Sequence, residues 1–154
     1  MLEKVKFTGE ELSVMSFFIS MTGVTPYDCI IDGENVTFVI RDEDFKDLLK
    51  NAFMIKGRNR NVLKLLLEDL QNAIKKKITV IRYYDNPERF LRGFFFLRRN
   101  EDVKIIKKPD GSKYAVIYVD PKRKGAVIGR NGSKAKKARL LAKKYFNLQA
   151  IFIR

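Results

Sequence analysis

The chain has 154 residues, 32 Lys and Arg against 18 Asp and Glu, and a formal net charge of +14. Its hydrophobic content of 45% suffices for a core, in one domain or two small ones, and its charge favours a polyanionic partner, nucleic acid before an anionic membrane surface. The absence of histidine removes the usual general base and the commonest metal ligand, while a single Cys29 excludes an intramolecular disulfide or a cysteine metal cluster.

The N-terminal Met-Leu-Glu-Lys-Val-Lys does not begin a signal peptide, and no apolar run approaches the ~18 residues of a membrane span, so a cytoplasmic location is expected. Thr8-Gly-Glu-Glu11 fits a capping box, and Leu12, Met15, Phe18, Ile19 and Thr22 recur at helical spacing until Gly23 and Pro26, which predicts a helix over 9–22. Tyr27 to Ile31 and Val36 to Ile40 are strand-like runs around an Asp32-Gly33 turn, hence a hairpin. Cys29, between Asp28 and Ile30-Ile31, reads as a buried strand residue. Acidic Asp42-Glu-Asp44 opens a short helix carrying Phe45, Leu48, Leu49 and Phe53. A basic loop, Ile55 to Arg60, leads to a second helix with Val62, Leu65, Leu66, Leu70, Ala73 and Ile74 inward, then to a β-branched strand at Ile78 to Ile81.

Asn86-Pro87-Glu88 reads as the N-cap and first turn of a helix continuing through Phe90, Leu91, Phe94, Phe95 and Leu97. The four phenylalanines there invite a base-stacking reading, but they fall on a broad helical face of the kind that builds a core. Val103 to Lys107 and Tyr114 to Val119 flank a second Asp-Gly turn, and a short turn or helix, a glycine loop, a basic helix and a strand at Ala150 to Ile153 follow. The order helix, strand, strand, helix, helix, strand thus occurs twice, which predicts an internal repeat. Pairing Ile55 with Ile128 gives an offset of 73 (128 − 55), which also matches Val62 with Ala135, Leu67 with Leu140, and the terminal strands.

The glycine loop is the candidate site. Gly129-Arg130-Asn131-Gly132 follows the apolar pair Val127-Ile128 and opens a helix rich in lysine. Pro121 to Arg154 holds eleven Lys or Arg and no Asp or Glu. Amides at a helix N-terminus favour a phosphate, and glycine places no Cβ between backbone and an approaching sugar-phosphate chain. Part of the charge is an ordinary solvated face, with Lys136, Arg139 and Lys143 opposite Ala135, Ala138, Ala142 and Tyr145. Yet six cations on one helix with no acid among them repel one another, and Lys134 sits unfavourably near a positive helix end.

The loop resembles the GxxG loop of the KH domain, which clamps about four nucleotides. The helix-strand-strand-helix-helix-strand unit resembles the type II KH domain. Two in tandem, joined through Val80-Ile-Arg-Tyr-Tyr-Asp-Asn-Pro-Glu-Arg-Phe90 and closing with Gly125 to Gly132 and Arg139 to Phe146, look like the archaeal NusA-like transcription factors. The resemblance implies an α+β fold of two type II KH domains, each a three-stranded sheet packed on helices, at 1–84 with a degenerate loop and 85–154 with an intact one. It implies a monomeric, cytoplasmic factor without catalytic activity or cofactor. Its partner would be single-stranded nascent RNA near RNA polymerase, and its role termination or antitermination. The larger bacterial relatives carry a polymerase-binding domain and an S1 domain, for which 154 residues leave no room.

On this reading Gly129 and Gly132 admit the phosphates, Arg130 and Asn131 face the strand, and Val127 and Ile128 floor a groove for the bases. Backbone groups of the edge strand would read base edges. Lys122, Arg123, Lys124, Lys134, Lys137 and Arg139 form an electrostatic funnel. In the first copy Lys56 and Asn59 replace the two glycines at the 73-residue offset, with Gly57 between them, so a weaker clamp is expected. Lys56, Gly57, Arg58, Asn59, Arg60 and Lys64 would serve there as secondary RNA contacts. A ribosome-assembly or other structural RNA-binding KH protein is the alternative. A membrane-surface role is disfavoured, because the basic helix presents mostly alanines on its apolar side.

Overall fold

The computed structural model describes residues 7–57 and 61–154; Arg58, Asn59 and Arg60 of the secondary site lie outside the described residues. The chain is α+β and divides into two compact units, Met1–Tyr83 and Tyr84–Arg154, each with one three-stranded sheet.

In the first unit, helix α1 (Gly9–Thr22) starts at the expected capping box. The Thr8 amide donates to Glu11 Oε1 at 2.8 Å and the Glu11 amide donates to Thr8 Oγ1 at 3.1 Å. The helix ends where Gly23, at φ 73, turns left-handed and donates to the Ile19 carbonyl. Its buried face is Val14, Met15, Phe18 and Thr22, whereas Leu12 and Ile19, expected inside, are exposed. Positions 14, 18 and 22 form one stripe, and Leu12 and Ile19 share the flank beside it.

Strands β1 (Asp28–Asp32) and β2 (Asn35–Arg41) pair antiparallel around Gly33-Glu34, and β3 (Lys77–Tyr83) pairs parallel to β2. The central strand is buried without interruption from Val36 to Ile40, as expected of a strand covered on both faces. Helices α2 (Asp42–Lys56) and α3 (Val62–Ile74) contribute Leu48, Ala52, Leu66 and Leu70 to the core, where Phe18 meets Phe38 at 4.3 Å. Helix α2 is longer than expected, at 15 residues. On α3 the residues packed on the core include Leu63 and Leu67, and Ala73 is exposed.

The second unit opens with α4 (Pro87–Phe94), whose N-cap Asn86 accepts from the Arg89 amide at 3.0 Å. It stops at Phe94, short of the expected Leu97; Phe95 caps it, and Phe96 stands at φ 50. Strands β4 (Asp102–Lys107) and β5 (Lys113–Tyr118) form the second hairpin, closed by Ser112, whose amide and hydroxyl both donate to Asp110. A 3-10 turn (Pro121–Arg123) leads into α5 (Lys124–Ile128), and after the glycine loop comes α6 (Ser133–Phe146). Strand β6 (Leu148–Ile153) runs parallel to β5, so the sheet order is β4-β5-β6. Phe90, Phe94 and Phe95 are core residues, and Phe90 packs 5.7 Å from Tyr145 and 5.5 Å from Phe146.

Matching positions in the two units are 72 residues apart from the glycine onward, one fewer than expected. Gly57 (φ 77, ψ −167) and Gly129 (φ 83, ψ 166) end α2 and α5 in the same conformation (129 − 57 = 72). Buried Leu66 and Leu70 match buried Ala138 and Ala142, and the left-handed caps Lys75 and Asn147 agree (147 − 75 = 72). The offset reaches 73 only inside β6, where an irregularity between Lys113 and Tyr114 sets Leu148 and then Ala150 opposite consecutive residues. Gly57, not Lys56, therefore stands where Gly129 does.

Candidate nucleic-acid interface

The loop between α5 and α6 is built from three left-handed residues: Gly129, Asn131 at φ 56 and Gly132 at φ 71. Gly129 is required by the protein itself. A Cβ there would lie 2.8 Å from Lys134 Cβ and 2.9 Å from the Lys134 amide nitrogen, whereas a Cβ on Gly132 would meet open space. The amides of Gly129, Gly132 and Ser133 donate within the loop, to the carbonyls of Gly125, Gly129 and Arg130. Glycine thus lets the chain turn tightly enough to close on α6, and the exposed side chains of Arg130 and Asn131 are what the loop offers outward.

The expected cations separate into two groups. Lys122 and Lys124 are exposed, and Lys137 is partly buried on α6. Arg123, by contrast, is committed to the fold: it forms an ion pair with the fully buried carboxylate of Glu101 and donates to the Phe96 carbonyl at 3.2 Å. Arg139 is likewise occupied, its Nε and Nη2 donating to the Ile151 carbonyl of edge strand β6 at 3.3 and 3.2 Å. It covers the open edge of the sheet, a common device against unwanted strand pairing. Val127 is buried in the core and cannot floor a groove; Ile128 is only half-buried. Lys134 is half-buried with its ammonium 5.2 Å from the centre of the Phe96 ring, and its pKa is pushed down by burial and by the charges of Arg123 and Lys137.

In the first unit Lys56 pairs with Asp69 on α3, Gly57 holds the helix end, and Lys64 is exposed. Lys56 is thus drawn toward its own fold.

Glu101 escaped sequence reasoning. Its Oε1 accepts from the Arg98 amide at 2.9 Å and from Arg123, and its Oε2 accepts from the Asp120 amide at 2.9 Å. Burial alone would raise its pKa; the two amides and the guanidinium outweigh this and hold it below its usual 4.5. Arg92 completes the knot by donating to the carbonyls of Glu101 and Arg98. The only sequence signal was an acid at the mouth of a strand. A shallow groove of about 360 Å³ also lies between α6 and β6, lined by Lys136, Arg139, Leu140 and Lys143 on one side and Leu148 to Ile151 on the other.

Among the described residues there is no group of three or more potential metal-ligating side chains, and no helix is long and apolar enough to cross a membrane. Fold and site together define a basic α+β protein of two three-stranded units, the second presenting a glycine loop that opens a lysine-rich helix.

No protein-family model matches the chain. It is similar to the "Probable transcription termination protein NusA" of Methanocaldococcus jannaschii, 27% identical over 150 residues that make up 97% of this chain and 75% of that protein. Proteins of the same name in Methanococcus vannielii and Halococcus morrhuae are 28% and 23% identical, over 88% and 96% of this chain and 71% and 97% of their own. The crystal structure of APE1850 superimposes with a TM-score of 0.72 at 30% identity, covering 96% of this chain and all of that one. The chain is a NusA-like protein of the archaeal kind.

Proposed function

We propose that this protein binds single-stranded nascent RNA through two type II KH domains and acts in transcription termination or antitermination. The observation that carries the reading is the second loop: a Gly-x-x-Gly turn locked against α6, with the side chains of Arg130 and Asn131 exposed, as are Lys122 and Lys124 ahead of it. The names of the relatives support the process, and the element order of each unit supports the KH assignment. Phosphates would be met by these exposed side chains, and bases would enter the groove between α6 and β6. The first domain, with a single glycine in its loop, would be the weaker clamp. The protein would work as a cytoplasmic monomer near RNA polymerase, as a non-catalytic factor without cofactor.

The test is binding of short single-stranded RNA by the wild type and by a double variant, Arg130→Asp with Asn131→Asp, with thermal melting as the folding control. A variant that stays folded and loses most of its affinity supports the loop as the clamp. Unchanged affinity refutes it and leaves diffuse attraction by the basic helix.

A further inference from the structure

Phe96 is the member of the phenylalanine run that the core does not take. It is 75% exposed, while Phe90, Phe94 and Phe95 are buried. Its φ of 50 is left-handed, a region that strains a bulky side chain. Neither burial nor backbone preference explains an aromatic residue there, and glycine would remove the strain without loss of core. The strained conformation is nevertheless firmly held. The Phe96 amide donates to the Gly93 carbonyl at 3.3 Å, and its own carbonyl accepts from Arg123, which buried Glu101 fixes.

The ring's position gives the strain a meaning. Lys134, whose backbone and Cβ crowd Gly129, rests its ammonium over the Phe96 face at 5.2 Å. The exposed ring therefore lies one side chain away from the glycine loop, with Lys134 over its face, Lys137 acting on Lys134, and Arg123 bonded to its backbone with its charge balanced by Glu101. An exposed aromatic set among cations suits a nucleobase attached to phosphates, since every base has a face that stacks and every link carries a negative charge. A protein partner docking on the same ring would have to bring acidic residues to it.

We propose that Phe96 is a base-stacking platform for a nucleotide adjoining those held at the Gly129 to Gly132 loop, with Lys134 resting over one face of the ring until RNA arrives. This rests on the RNA-binding reading above. A phosphate near the loop attracts the Lys134 ammonium, which is partly desolvated and crowded by like charges, and its departure opens the ring to the adjoining base. The Glu101–Arg123 pair is the support that keeps the platform in place.

The chain has no tryptophan, so Phe96→Trp installs a single fluorescent reporter at the site. Short single-stranded RNA is titrated into this variant, into Phe96→Gly and into the wild type, with RNA anisotropy as an independent measure of binding. The expected result is quenched tryptophan emission on binding, and for Phe96→Gly an affinity about tenfold weaker with a melting temperature no lower than wild type. RNA that binds wild type and Phe96→Gly equally, with unquenched tryptophan, overturns the platform while leaving the RNA reading intact. A wild type that does not bind RNA overturns both. Weaker binding that follows a lowered melting temperature in Phe96→Gly, without quenching in Phe96→Trp, assigns Phe96 a structural role and also overturns the proposal.

Discussion

The carboxylate of Glu101 and the guanidinium of Arg123 form a buried ion pair that ties the entrance of β4 to the 3-10 turn before α5. Removing one partner of such a pair leaves the other charge uncompensated, at a cost of about 3–5 kcal/mol. Glu101→Gln keeps the shape and loses the charge, so it is expected to lower stability by an amount near the low end of that range in denaturant unfolding. The pH dependence has a definite sign. Because the folded-state pKa of Glu101 lies below its usual 4.5, its contribution is fully present above that value and is lost as pH falls through the lowered one. Wild type and Glu101→Gln should therefore converge in stability below about pH 4.5 and differ most near neutrality.

The loop glycines are not equivalent. Gly129→Ala meets both a forbidden φ/ψ combination and a 2.8 Å clash with Lys134, and should cost about 3 kcal/mol. Gly132→Ala meets only the left-handed φ, for about 1 kcal/mol. Thermal melting of the two variants should rank them in that order, and equal effects would contradict the packing of Gly129 on α6.

Charge and salt separate the fold's cations from those left for a ligand. On the RNA-binding reading, four to six neutralised phosphates give a slope of log affinity on log salt of roughly −3 to −4. Lys122→Gln and Lys124→Gln should each make it shallower by about 0.7. Arg123 adds little to the slope, because its charge is already balanced by Glu101 within the fold.

The helix caps provide a control remote from the loop. Thr8→Ala removes the bond that the Glu11 amide donates to Thr8 Oγ1, and Asn86→Ala removes the one that the Arg89 amide donates to Asn86. Each should destabilise its own unit by about 1 kcal/mol, read by denaturant unfolding, without altering the salt dependence of RNA binding.

What could be read from sequence was what depends on a few neighbouring residues: the caps at Thr8 and Asn86 and the two Asp-Gly hairpins. The inward face of α1 was misassigned at Leu12 and Ile19 because apolar residues occur on several sides of that helix and periodicity could not choose among them. The end of α4 was hidden too. Phe95, Phe96 and Leu97 continue the apolar pattern, and the chain is turned aside there by Arg92 and Arg123, bonds that become visible only in three dimensions. The one-residue error in matching the units came from the irregularity in β6, which places the strands, but not the helices, 73 residues apart. The site's positive charge was legible, whereas its division was not: Lys56 and Arg123 pair with acids distant in sequence.

Helix α5 has only five residues, too few to be stable by its own hydrogen bonds. Its stiffness is borrowed from the carboxylate of Glu101, which grips the chain just ahead of it at Asp120 and Arg123. On the RNA-binding reading, the loop's grip can thus be tuned from a distance. Substitutions around Arg98 and Asp120 would loosen or tighten the clamp without touching a residue that meets the ligand, so selection for altered affinity has a route that leaves the contact surface unchanged.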